Sequence, residues 1–325
     1  IRDDLVTGVQ TCALPIFLRH GKVTGACDPR QETTGSLARM MVGSDVASVQ
    51  HEGMDKKGDI LLEIAGLSAP ARTPFATSLK DLSLRVRAGE VLAIAGVAGN
   101  GQGELFDVIS GEYAVASDDL VQLRGEGVGT RGINARRLLG AGFVPEERHG
   151  HAAVSALKLS DNLVLARNQS DRRAFLGGGF LNIIRHGAVK QATKRICEAM
   201  DVRKSGEDPA AGALSGGNLQ KFIVGRELDR QPSVLVVNQP TWGVDAGAAS
   251  RIRQAMVDLA RDGSAVLVIS QDLDEIFEVA TDIAVISEGR LSPSYPAGEL
   301  TREKIGLLMG GLHDSKTHSE PAHAH

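Results

Sequence analysis

From residue 59 onward the chain alternates short apolar runs with polar, glycine-containing turns, a pattern typical of a protein built on strands. The run at residues 91–95 is apolar at every position, which predicts a strand buried on both faces of a parallel sheet. Residues 141–148 are expected to form a strand followed by a loop. Further strands are expected at residues 60–64, 82–86, 234–237 and Ala265–Ser270.

Other stretches depart from this strand pattern. Residues 150–212 carry apolar positions at helical spacing and predict a helical subdomain. Residues 113–138 are polar and rich in glycine, which predicts an irregular β edge with surface loops. A helix is expected over Gly216–Leu228, shortly before the strand at 234–237.

An internal repeat relates the start of the chain to its end. Residues 17–23 match residues 285–291, and each copy predicts a strand, a tight turn and a second strand. The match continues without a gap in the segments 37–43 and 305–311. It is explained either by chance similarity of two β-turns followed by helices, or by a duplicated domain of which residues 17–49 are the tail.

The two ends and one internal segment carry little fold information. Residues 1–16 resemble the translation of a sequencing adapter. The alternative, a signal peptide, conflicts with the Ile-Arg-Asp-Asp start and the lack of an uninterrupted apolar core. Residues 50–58 read as a polar linker. For residues 312–325, a polar tail with several histidines, we expect disorder rather than metal binding.

Composition narrows the possible functions. The 325 residues are 42% hydrophobic, as in ordinary globular proteins, and the net charge of −4 gives no indication of nucleic-acid binding. An aromatic content of 3% argues against base-stacking platforms. No apolar run reaches the roughly 18–20 residues that span a bilayer, so a membrane role would require a partner. The 3 cysteines are far apart and predict neither a disulfide framework nor a metal site.

A glycine-rich loop follows the fully apolar strand. It keeps the Gly-x-x-x-x-Gly frame in which backbone amides cradle the phosphates of a nucleotide. Gln102 stands where a lysine normally meets the β- and γ-phosphates, and Gly103 stands where a serine or threonine binds Mg²⁺. Glu104 breaks the alternative dinucleotide-binding pattern. The loop reads Gly96-Val97-Ala98-Gly99-Asn100-Gly101-Gln102-Gly103.

A second glycine-containing segment precedes the helix Gly216–Leu228. Ser215 is expected to cap this helix, which leaves the amides of the first turn pointing outward as an anion site. Gly216 and Gly217 lack a Cβ and so allow a phosphate to approach closely. The segment reads Leu214-Ser215-Gly216-Gly217-Asn218-Leu219-Gln220, and the strand that follows ends in Asn238-Gln239-Pro240.

These segments resemble the nucleotide-binding domains of ABC transporters, in the form found in tandem-domain ATPases of simple-sugar and nucleoside importers. The resemblance covers residues 17–311. It implies an α/β fold, a P-loop NTPase (RecA-like) core with an antiparallel β subdomain and a helical subdomain. It also implies that residues 59–311 are the second ABC domain of a tandem protein and that residues 17–49 end a first domain whose body is missing.

The resemblance assigns roles to residues outside the glycine-rich loop. Glu146 stands where the family has a glutamine that helps to bind metal and relays motion to the membrane subunits, although a solvated carboxylate at a strand end is the alternative. Asn238 and Gln239 replace an aspartate that binds Mg²⁺ through water and a glutamate that polarises the attacking water. Asp245 is retained in the next loop, whereas Gln271 replaces a histidine that contacts the γ-phosphate.

One aromatic side chain is also in question. In the family an aromatic residue before the glycine-rich loop stacks on adenine, and Phe75 is the candidate in this sequence. It lies slightly off the usual spacing. Plain packing of a loop phenylalanine is therefore the simpler expectation.

Five positions of one site depart from the family pattern together: Gln102, Gly103, Asn238, Gln239 and Gln271. An amide keeps the shape and hydrogen bonding of the acid it replaces, but it can neither accept a proton nor offer charge to a metal. We therefore predict a site that binds ATP, holds Mg²⁺ weakly and does not cleave the nucleotide. The intact signature segment, residues 214–220, would close over the γ-phosphate held by the partner domain.

The resemblance implies the C-terminal ATP-binding half of an importer for nucleosides or simple sugars. The sequences of its loops are nearer to the nucleoside type. Its partners would be a first nucleotide-binding domain or a second copy of the chain, transmembrane permease subunits and, indirectly, a solute-binding protein, without nucleic acid. It would lie on the cytoplasmic face of the bacterial inner membrane. The alternatives are a soluble ABC ATPase outside transport and a regulatory module without turnover. The solute cannot be read, because selectivity lies in the partners.

Overall fold

The computed structural model describes most of the chain between residues 16 and 311. The described residues are 16–19, 22–33, 36, 49–51, 53–54, 57–167, 172–177 and 183–311. The expectations for residues 1–15, including the adapter reading, and for the tail 312–325 lie outside them. Among the described residues, no helix combines the length and the apolar composition needed to cross a membrane.

Strands and helices alternate along the described part of the chain. The strands are β1 Ile16–Arg19, β2 Lys22–Ala26, β3 Ile60–Ala69, β4 Leu79–Arg87, β5 Glu90–Ala95, β6 Val121–Leu123, β7 Glu126–Gly127, β8 Ala141–Val144, β9 Leu176–Gly177, β10 Ile183–Ile184, β11 Val234–Asn238, β12 Ala265–Ser270, β13 Asp282–Ser287, β14 Arg290–Leu291 and β15 Tyr295–Pro296. The helices are α1 Gln102–Ser110, α2 Ile133–Leu138, α3 Leu159–Arg167, α4 Arg172–Phe175, α5 His186–Ala199, α6 Gly216–Leu228, α7 Ala246–Arg261, α8 Leu273–Val279 and α9 Arg302–Met309.

A largely parallel sheet forms the centre of the domain, with the strand order β14-β13-β5-β12-β11-β8 and β15 paired to β13. The pairs from β13 through β5, β12 and β11 to β8 are all parallel, and β14 and β15 run antiparallel to β13. Strand β5 is buried at every position, as its continuous apolar sequence predicted. The predictions of strands at 234–237 and Ala265–Ser270 are confirmed as β11 and β12.

The central sheet separates two hydrophobic cores, because successive side chains of a strand point to opposite faces. On one face Val91, Ala93 and Ala95 pack with helices α5 to α9. On the other face Leu92 and Ile94 pack with α1 and with an antiparallel sheet of order β4-β3-β6-β7. This second sheet is the antiparallel β subdomain that was expected.

The helical subdomain is confirmed in outline and differs in detail. Helices α3, α4 and α5 lie in the stretch 150–212, and α5 packs against α6. A short antiparallel hairpin, β9 with β10, interrupts this stretch and was not predicted. Two-residue strands are too short to give a recognisable alternation of apolar and polar positions.

Helix α2 corrects the prediction of a purely irregular region over residues 113–138. The expected β edge is present as β6 and β7, but α2 follows it. Arg136 of α2 is fully buried, and its guanidinium donates to the backbone carbonyls of Val108, Ile109 and Val128. Burial lowers the pKa of Arg136 to about 10. Because its donors are satisfied by carbonyls at the end of α1, a charged residue lies inside where sequence polarity indicated the surface.

The repeat predicted from sequence has the same backbone form in both copies. In the first, Arg19 pairs with Lys22, and in the second Ser287 pairs with Arg290 in the same register. The helix predicted after the second copy is confirmed as α9. Its counterpart at 37–43 lies outside the described residues.

The stretch predicted to be a polar linker contacts α7, the hydrophobic core and β13 at its described positions. The backbone N–H of Gln50 donates to Gln254 Oε1 at 2.9 Å on α7. Met54 is 9% exposed and belongs to the hydrophobic core. The Lys57 ammonium lies 2.5 Å from an Asp282 carboxylate oxygen at the start of β13. Three described residues of this stretch, Gln50, Met54 and Lys57, therefore have specific contacts with the rest of the chain.

Candidate functional site

The glycine-rich loop connects β5 to α1 at the carboxyl end of the parallel strands. Gly101 precedes α1 with a φ of 110°, a left-handed conformation that favours glycine. A Cβ on Gly96 would lie 2.6 Å from the Gln102 Nε2 atom. A Cβ on Gly99 or Gly103 would have no described atom within 4 Å. The backbone therefore has the open form expected of a phosphate cradle.

The side chain of Gln102 turns back into this loop. Its Nε2 atom donates to the carbonyl of Val97 at 2.8 Å, and its Oε1 atom accepts from the backbone N–H of Asn100 at 3.0 Å. Only 6% of the residue is exposed. The backbone N–H of Asn100, one of the loop amides that could bind an anion, is thus already hydrogen-bonded to Gln102.

Asn100 fixes the loop to the hairpin formed by β13 and β14. Its Oδ1 atom accepts from the backbone N–H of Glu288 at 2.8 Å, and its carbonyl accepts from the N–H of Gly289 at 2.9 Å. Its Nδ2 atom donates to Val97 O at 2.9 Å. The side chain of this predicted ligand-binding residue therefore supports the shape of the loop, and only its backbone borders the cradle.

The two amides at the end of β11 lie in a buried position. Asn238 is 2% exposed, and its Oδ1 atom has no hydrogen-bond partner among the described residues. Gln239 is 6% exposed and has a φ of 53°, in the left-handed region that non-glycine residues rarely adopt. Its backbone N–H donates to Ile269 O on β12 at 2.9 Å. Such local strain at a strand end is a feature of functional sites.

A cleft of about 570 Å³ brings three predicted site residues together: Gly103, Glu146 and Asn238. It is lined by four carboxylates and by His149 and His151, and no lysine or arginine of the described chain lines it. Burial raises the pKa of Asp107 in its wall. The acidic lining residues are Asp107, Glu112, Glu146 and Glu147. Such a lining repels the γ-phosphate end of a nucleotide unless a cation intervenes.

The chemistry of the donor set fits Mg²⁺ only in part. Glu146 offers an exposed carboxylate and Asn238 an uncharged amide oxygen, both of which are ligand types that Mg²⁺ accepts. Gly103 has no hydroxyl to add. Two protein oxygens, of which one is charged, hold the metal less firmly than the hydroxyl and carboxylate set of the P-loop family.

Gln271 follows β12, and its side chain is exposed. Neither Gln271 nor Gln239 belongs to the lining of the acidic cleft. The structure therefore places the two predicted catalytic positions at the ends of adjacent strands, β11 and β12, without bringing their side chains into that cleft.

Glu275 ties the ends of β11 and β12 together, and the sequence analysis missed it. Its carboxylate accepts from the hydroxyls of Thr241 and Ser270, each at 2.6 Å. The residue is 1% exposed, and burial raises its pKa. The available signal was Asp272 three residues earlier, a capping-box spacing. That pattern directs the carboxylate to the helix terminus, whereas here it reaches the two loops.

The signature helix begins where the sequence predicted, but its cap differs. Ser215 occupies the position before α6, and its side chain makes no capping hydrogen bond to the helix backbone. Its Oγ atom accepts from Asn218 Nδ2 at 2.9 Å instead. The predicted Ser215 cap is therefore wrong. The reason is local competition, since a side-chain amide three residues on supplies the donor.

The two glycines of the signature segment lie close to other parts of the chain. A Cβ on Gly216 would lie 2.7 Å from Arg148 Nη1, and one on Gly217 would lie 2.8 Å from the carbonyl oxygen of Gly243. We predicted that these glycines admit a phosphate. The structure adds that they admit a guanidinium and a backbone carbonyl. Arg148 is a second residue that the sequence analysis missed.

Asp245 caps helix α7. Its Oδ1 atom accepts from the backbone N–H of Ala248 at 2.9 Å, and the Lys221 ammonium lies 3.3 Å from its Oδ2 atom. Burial alone would raise the pKa of Asp245, but these contacts outweigh it and the pKa is lowered. The side chain of this predicted nucleotide-site residue thus orders the helix that follows the loop.

Phe75 is 97% exposed in the loop between β3 and β4. The simpler expectation of plain packing is therefore wrong. An aromatic face left fully in solvent is available to a ligand or a partner surface.

Sequence comparison relates this chain to known proteins. The sequence pattern of the ABC transporter family matches residues 79–242. The guanosine import ATP-binding protein NupO of Bacillus subtilis is 34% identical over 302 residues, which are 92% of this chain and 58% of the relative. The nucleoside import ATP-binding protein NupA of Lactococcus lactis is 34% identical over 294 residues, 90% of this chain and 57% of the relative. The chain thus spans little more than half the length of these relatives.

Solved structures support the fold. An ATP-binding subunit of an ABC transporter aligns with a TM-score of 0.60 at 17% identity, covering 77% of this chain and 99% of that one. A dimeric bacterial ABC transporter cassette aligns with a TM-score of 0.61 at 17% identity, covering 73% and 99%. The predicted fold class, a P-loop core with an antiparallel β subdomain and a helical subdomain, is confirmed.

Proposed function

The chain belongs to the ABC transporter family, and we propose that it is the C-terminal ATP-binding half of a tandem importer ATPase for nucleosides or simple sugars. In this proposal its own nucleotide site binds ATP without cleaving it. Its signature segment, residues 214–220, completes the active site of an upstream domain. The names of the nucleoside-importing relatives support the substrate class.

The inward turn of Gln102 is the observation that carries the proposal. A lysine at this position would extend a positive charge toward the phosphates. The side-chain amide of Gln102 instead donates to Val97 O and accepts from the Asn100 N–H. The loop is thus closed on a neutral side chain next to an acidic cleft. Electrostatic stabilisation of a transferring phosphoryl group is usually the largest catalytic contribution, and this site lacks its main source.

The amides at the strand ends act in the same direction. Gln239 occupies the position from which the family's glutamate polarises water, and an amide cannot accept the proton. The loss of general-base assistance alone would cost about 10²–10⁴-fold in rate. Together with the missing lysine, this supports a site that holds nucleotide through many turnovers of its partner.

ATP would be held by backbone amides of residues 96–103, with the adenine against the exposed ring of Phe75. Mg²⁺, when bound, supplies positive charge that offsets the acidic cleft. Glu146 and Asn238 would be its protein ligands, and the unpartnered Asn238 Oδ1 atom supports this assignment. With one charged ligand, the metal would be weakly held.

Unlike the glycine-rich loop, the signature segment keeps the residues of the family pattern. Since the Ser215 side chain makes no capping bond, the first amides of α6 stay available to an anion at the positive end of the helix. The γ-phosphate of a nucleotide bound by an upstream domain, or by a second copy of the chain, is the anion that this surface would meet.

The repeated hairpins support a tandem arrangement. The pair β1–β2 and the pair β13–β14 share turn length and register, as expected if residues 17–49 close an upstream copy of the same domain. Further partners would be transmembrane permease subunits and, through them, a solute-binding protein. The complex would lie on the cytoplasmic face of the bacterial inner membrane.

Two substitutions in the full tandem protein test the proposal. Ser215→Arg places a long side chain over the first amides of α6 and is expected to lower ATP turnover at least about a hundredfold, on the scale of a misplaced catalytic geometry. Gln239→Ala is expected to leave turnover near the parent value. Steady-state ATP hydrolysis, with thermal unfolding of each variant as the folding control, gives the comparison. Loss of turnover in Gln239→Ala together with full activity in Ser215→Arg would reverse the assignment of the two sites.

A further inference from the structure

Arg148 lies in the loop after β8, and its guanidinium contacts two other segments. Its Nε atom donates to Gln220 Oε1 on the signature helix α6 at 3.1 Å. Its Nη2 atom donates to the backbone carbonyl of Trp242 in the loop after β11. Its Nη1 atom lies so close to Gly216 that a Cβ there would be 2.7 Å away. One guanidinium thus spans the β8 loop, the start of α6 and the β11 loop.

The contacts continue beyond Arg148 toward the end of β11. Gln220 is 1% exposed, and its Nε2 atom donates to the carbonyl of Pro240 at 3.0 Å. The result is an unbroken hydrogen-bonded path from Arg148 through Gln220 to the residue that follows Gln239. Buried polar paths of this kind hold their members in one arrangement, because each broken bond leaves an unsatisfied group.

The β8 loop itself has a fixed backbone. The N–H of Ala153 donates to the carbonyl of Arg148 at 2.9 Å, and the N–H of Ala152 donates to the carbonyl of Glu147 at 3.1 Å. Glu146, in the wall of the acidic cleft, is two residues before Arg148. Glu146 and Arg148 thus lie on one short backbone segment, and Arg148 is the point at which this segment contacts the start of α6 and the β11 loop.

Arginine suits this position for geometric reasons. Its planar fork donates in several fixed directions at once, whereas a lysine ammonium on a flexible stem is a point charge that does not reproduce the fork. Two glycines make room for it, since Gly243 would also place a Cβ 3.0 Å from Arg148 Nη2. The chain is thus built around the guanidinium on both sides.

We propose that Arg148 is a positioning residue that couples the β8 loop carrying Glu146 to the signature turn and the β11 loop. In this way the state of the chain's own cleft sets the position of the surface that completes the partner's active site. The inference rests on the proposed function, because it assigns Arg148 to the site that the signature segment completes.

Turnover in the full tandem protein gives the first test. Arg148→Met, which keeps the stem and removes the fork, is expected to lower kcat about tenfold or more while KM for ATP changes less than threefold, since the binding loop of the upstream domain is untouched. Arg148→Lys is expected to restore little, because charge alone does not bridge two acceptors. Arg251→Met, an exposed arginine on α7, serves as the matched control and is expected to match the parent.

A spectroscopic readout separates coupling from general destabilisation. Trp242 is the single tryptophan of the 325-residue chain. Tryptophan emission from this chain therefore reports on the β11 loop. Without the bond from Arg148 to its carbonyl, Trp242 is expected to show lower fluorescence anisotropy at a temperature where the variant is fully folded. If Arg148→Met does not fold, Arg148→Lys carries the same two measurements.

The outcomes distinguish this inference from the proposed function. If Ser215→Arg abolishes turnover while both Arg148 variants keep the parent kcat and the parent Trp242 anisotropy, the coupling role of Arg148 is refuted and the proposed function stands. If Ser215→Arg itself has no effect on turnover, the proposed function fails first. A full rescue by Arg148→Lys would assign the effect to charge and would overturn the bridging role.

Discussion

A glutamine side chain can satisfy a tight loop in a way that a lysine cannot. Gln102 carries both a donor and an acceptor, and the folded loop offers a matching carbonyl on Val97 and N–H on Asn100. A lysine has donors only and would leave the Asn100 N–H for a ligand. At the residue scale, the change from lysine to glutamine therefore alters the shape and availability of the loop as well as its charge.

Restoring the charge is expected to restore affinity. In Gln102→Lys, ATP should bind about tenfold more tightly or better, because a hydrogen bond to a charged group contributes roughly 1.5–3 kcal/mol. Titration with a fluorescent ATP analogue measures the change. Gln102→Met removes both internal hydrogen bonds without adding charge and is the control. Equal tightening in both variants would show that the closed loop, rather than the missing charge, limits binding, and no change in either would contradict the prediction.

Sequence reasoning proposed the substituted positions of the site but could not give the directions of their side chains. The inward turn of Gln102 depends on two backbone groups that meet only in the folded loop. The sequence analysis missed Glu275 and Arg148 for a related reason. Their partners are distant along the chain, because Thr241 lies 34 residues from Glu275 and Trp242 lies 94 residues from Arg148. Contacts over such separations leave no local spacing to recognise.

At the scale of elements, the parallel strands were the most predictable part. A strand buried on both faces needs an unbroken apolar run, and β5, β11 and β12 each have one. Helix α2 was not predictable, because its inward residues are arginines whose partners are carbonyls and a carboxylate elsewhere. Burial of charge through such partners reverses the usual relation between polarity and the surface.

A buried carboxylate joins α2 to α6. Glu227 is fully buried, and its oxygens lie 2.9 Å from Arg137 Nη1, 3.2 Å from Arg226 Nε and 3.2 Å from Arg230 Nη1. Burial alone would raise the pKa of Glu227, but the three guanidinium groups outweigh it and lower the pKa to about 2. The ionised form is therefore the one that the folded state holds.

Removing this charge is expected to destabilise the domain, in a manner that depends on pH. Glu227→Gln should lose about 3–5 kcal/mol of unfolding free energy at neutral pH, because three arginines keep no counter-charge. Since the folded pKa lies below the ordinary 4.5, the contribution is present above pH 4.5 and is lost as the pH falls toward 2. Urea unfolding from pH 7 to pH 3 should show the difference from the parent narrowing.

The exposed Glu198 provides the control for this experiment. It makes only a surface pair with Lys194 at 3.8 Å, so Glu198→Gln should cost less than about 1 kcal/mol at any pH. A loss in Glu227→Gln that is as large at pH 3 as at pH 7 would contradict the electrostatic explanation and would point to packing instead.

At the scale of the whole molecule, the described residues of the stretch 50–58 contact the rest of the chain. They reach α7, the hydrophobic core and the start of β13. Polar composition predicted a linker over residues 50–58. It could not show that Met54 and Lys57 each have a specific partner.

A truncation series tests this attachment. A chain that begins at residue 59 is expected to unfold about 5 °C or more below one that begins at residue 49. The reason is that burial of a side chain such as Met54 contributes roughly 1.5–3 kcal/mol, and each kcal/mol shifts Tm by about 2–4 °C in a domain of this size. Differential scanning calorimetry gives both values. Identical transitions would mean that the linker contacts add no stability.

The decisive experiment concerns the nucleotide site of this chain alone. Mg-ATP turnover should be measured at a concentration high enough for self-association, with nucleotide binding followed in the same sample. We predict binding without turnover above background, because Gln102 and Gln239 stand where a lysine and a glutamate would act. Turnover that is abolished by Gln239→Ala would contradict this, since it would mean that the amide site is itself catalytic.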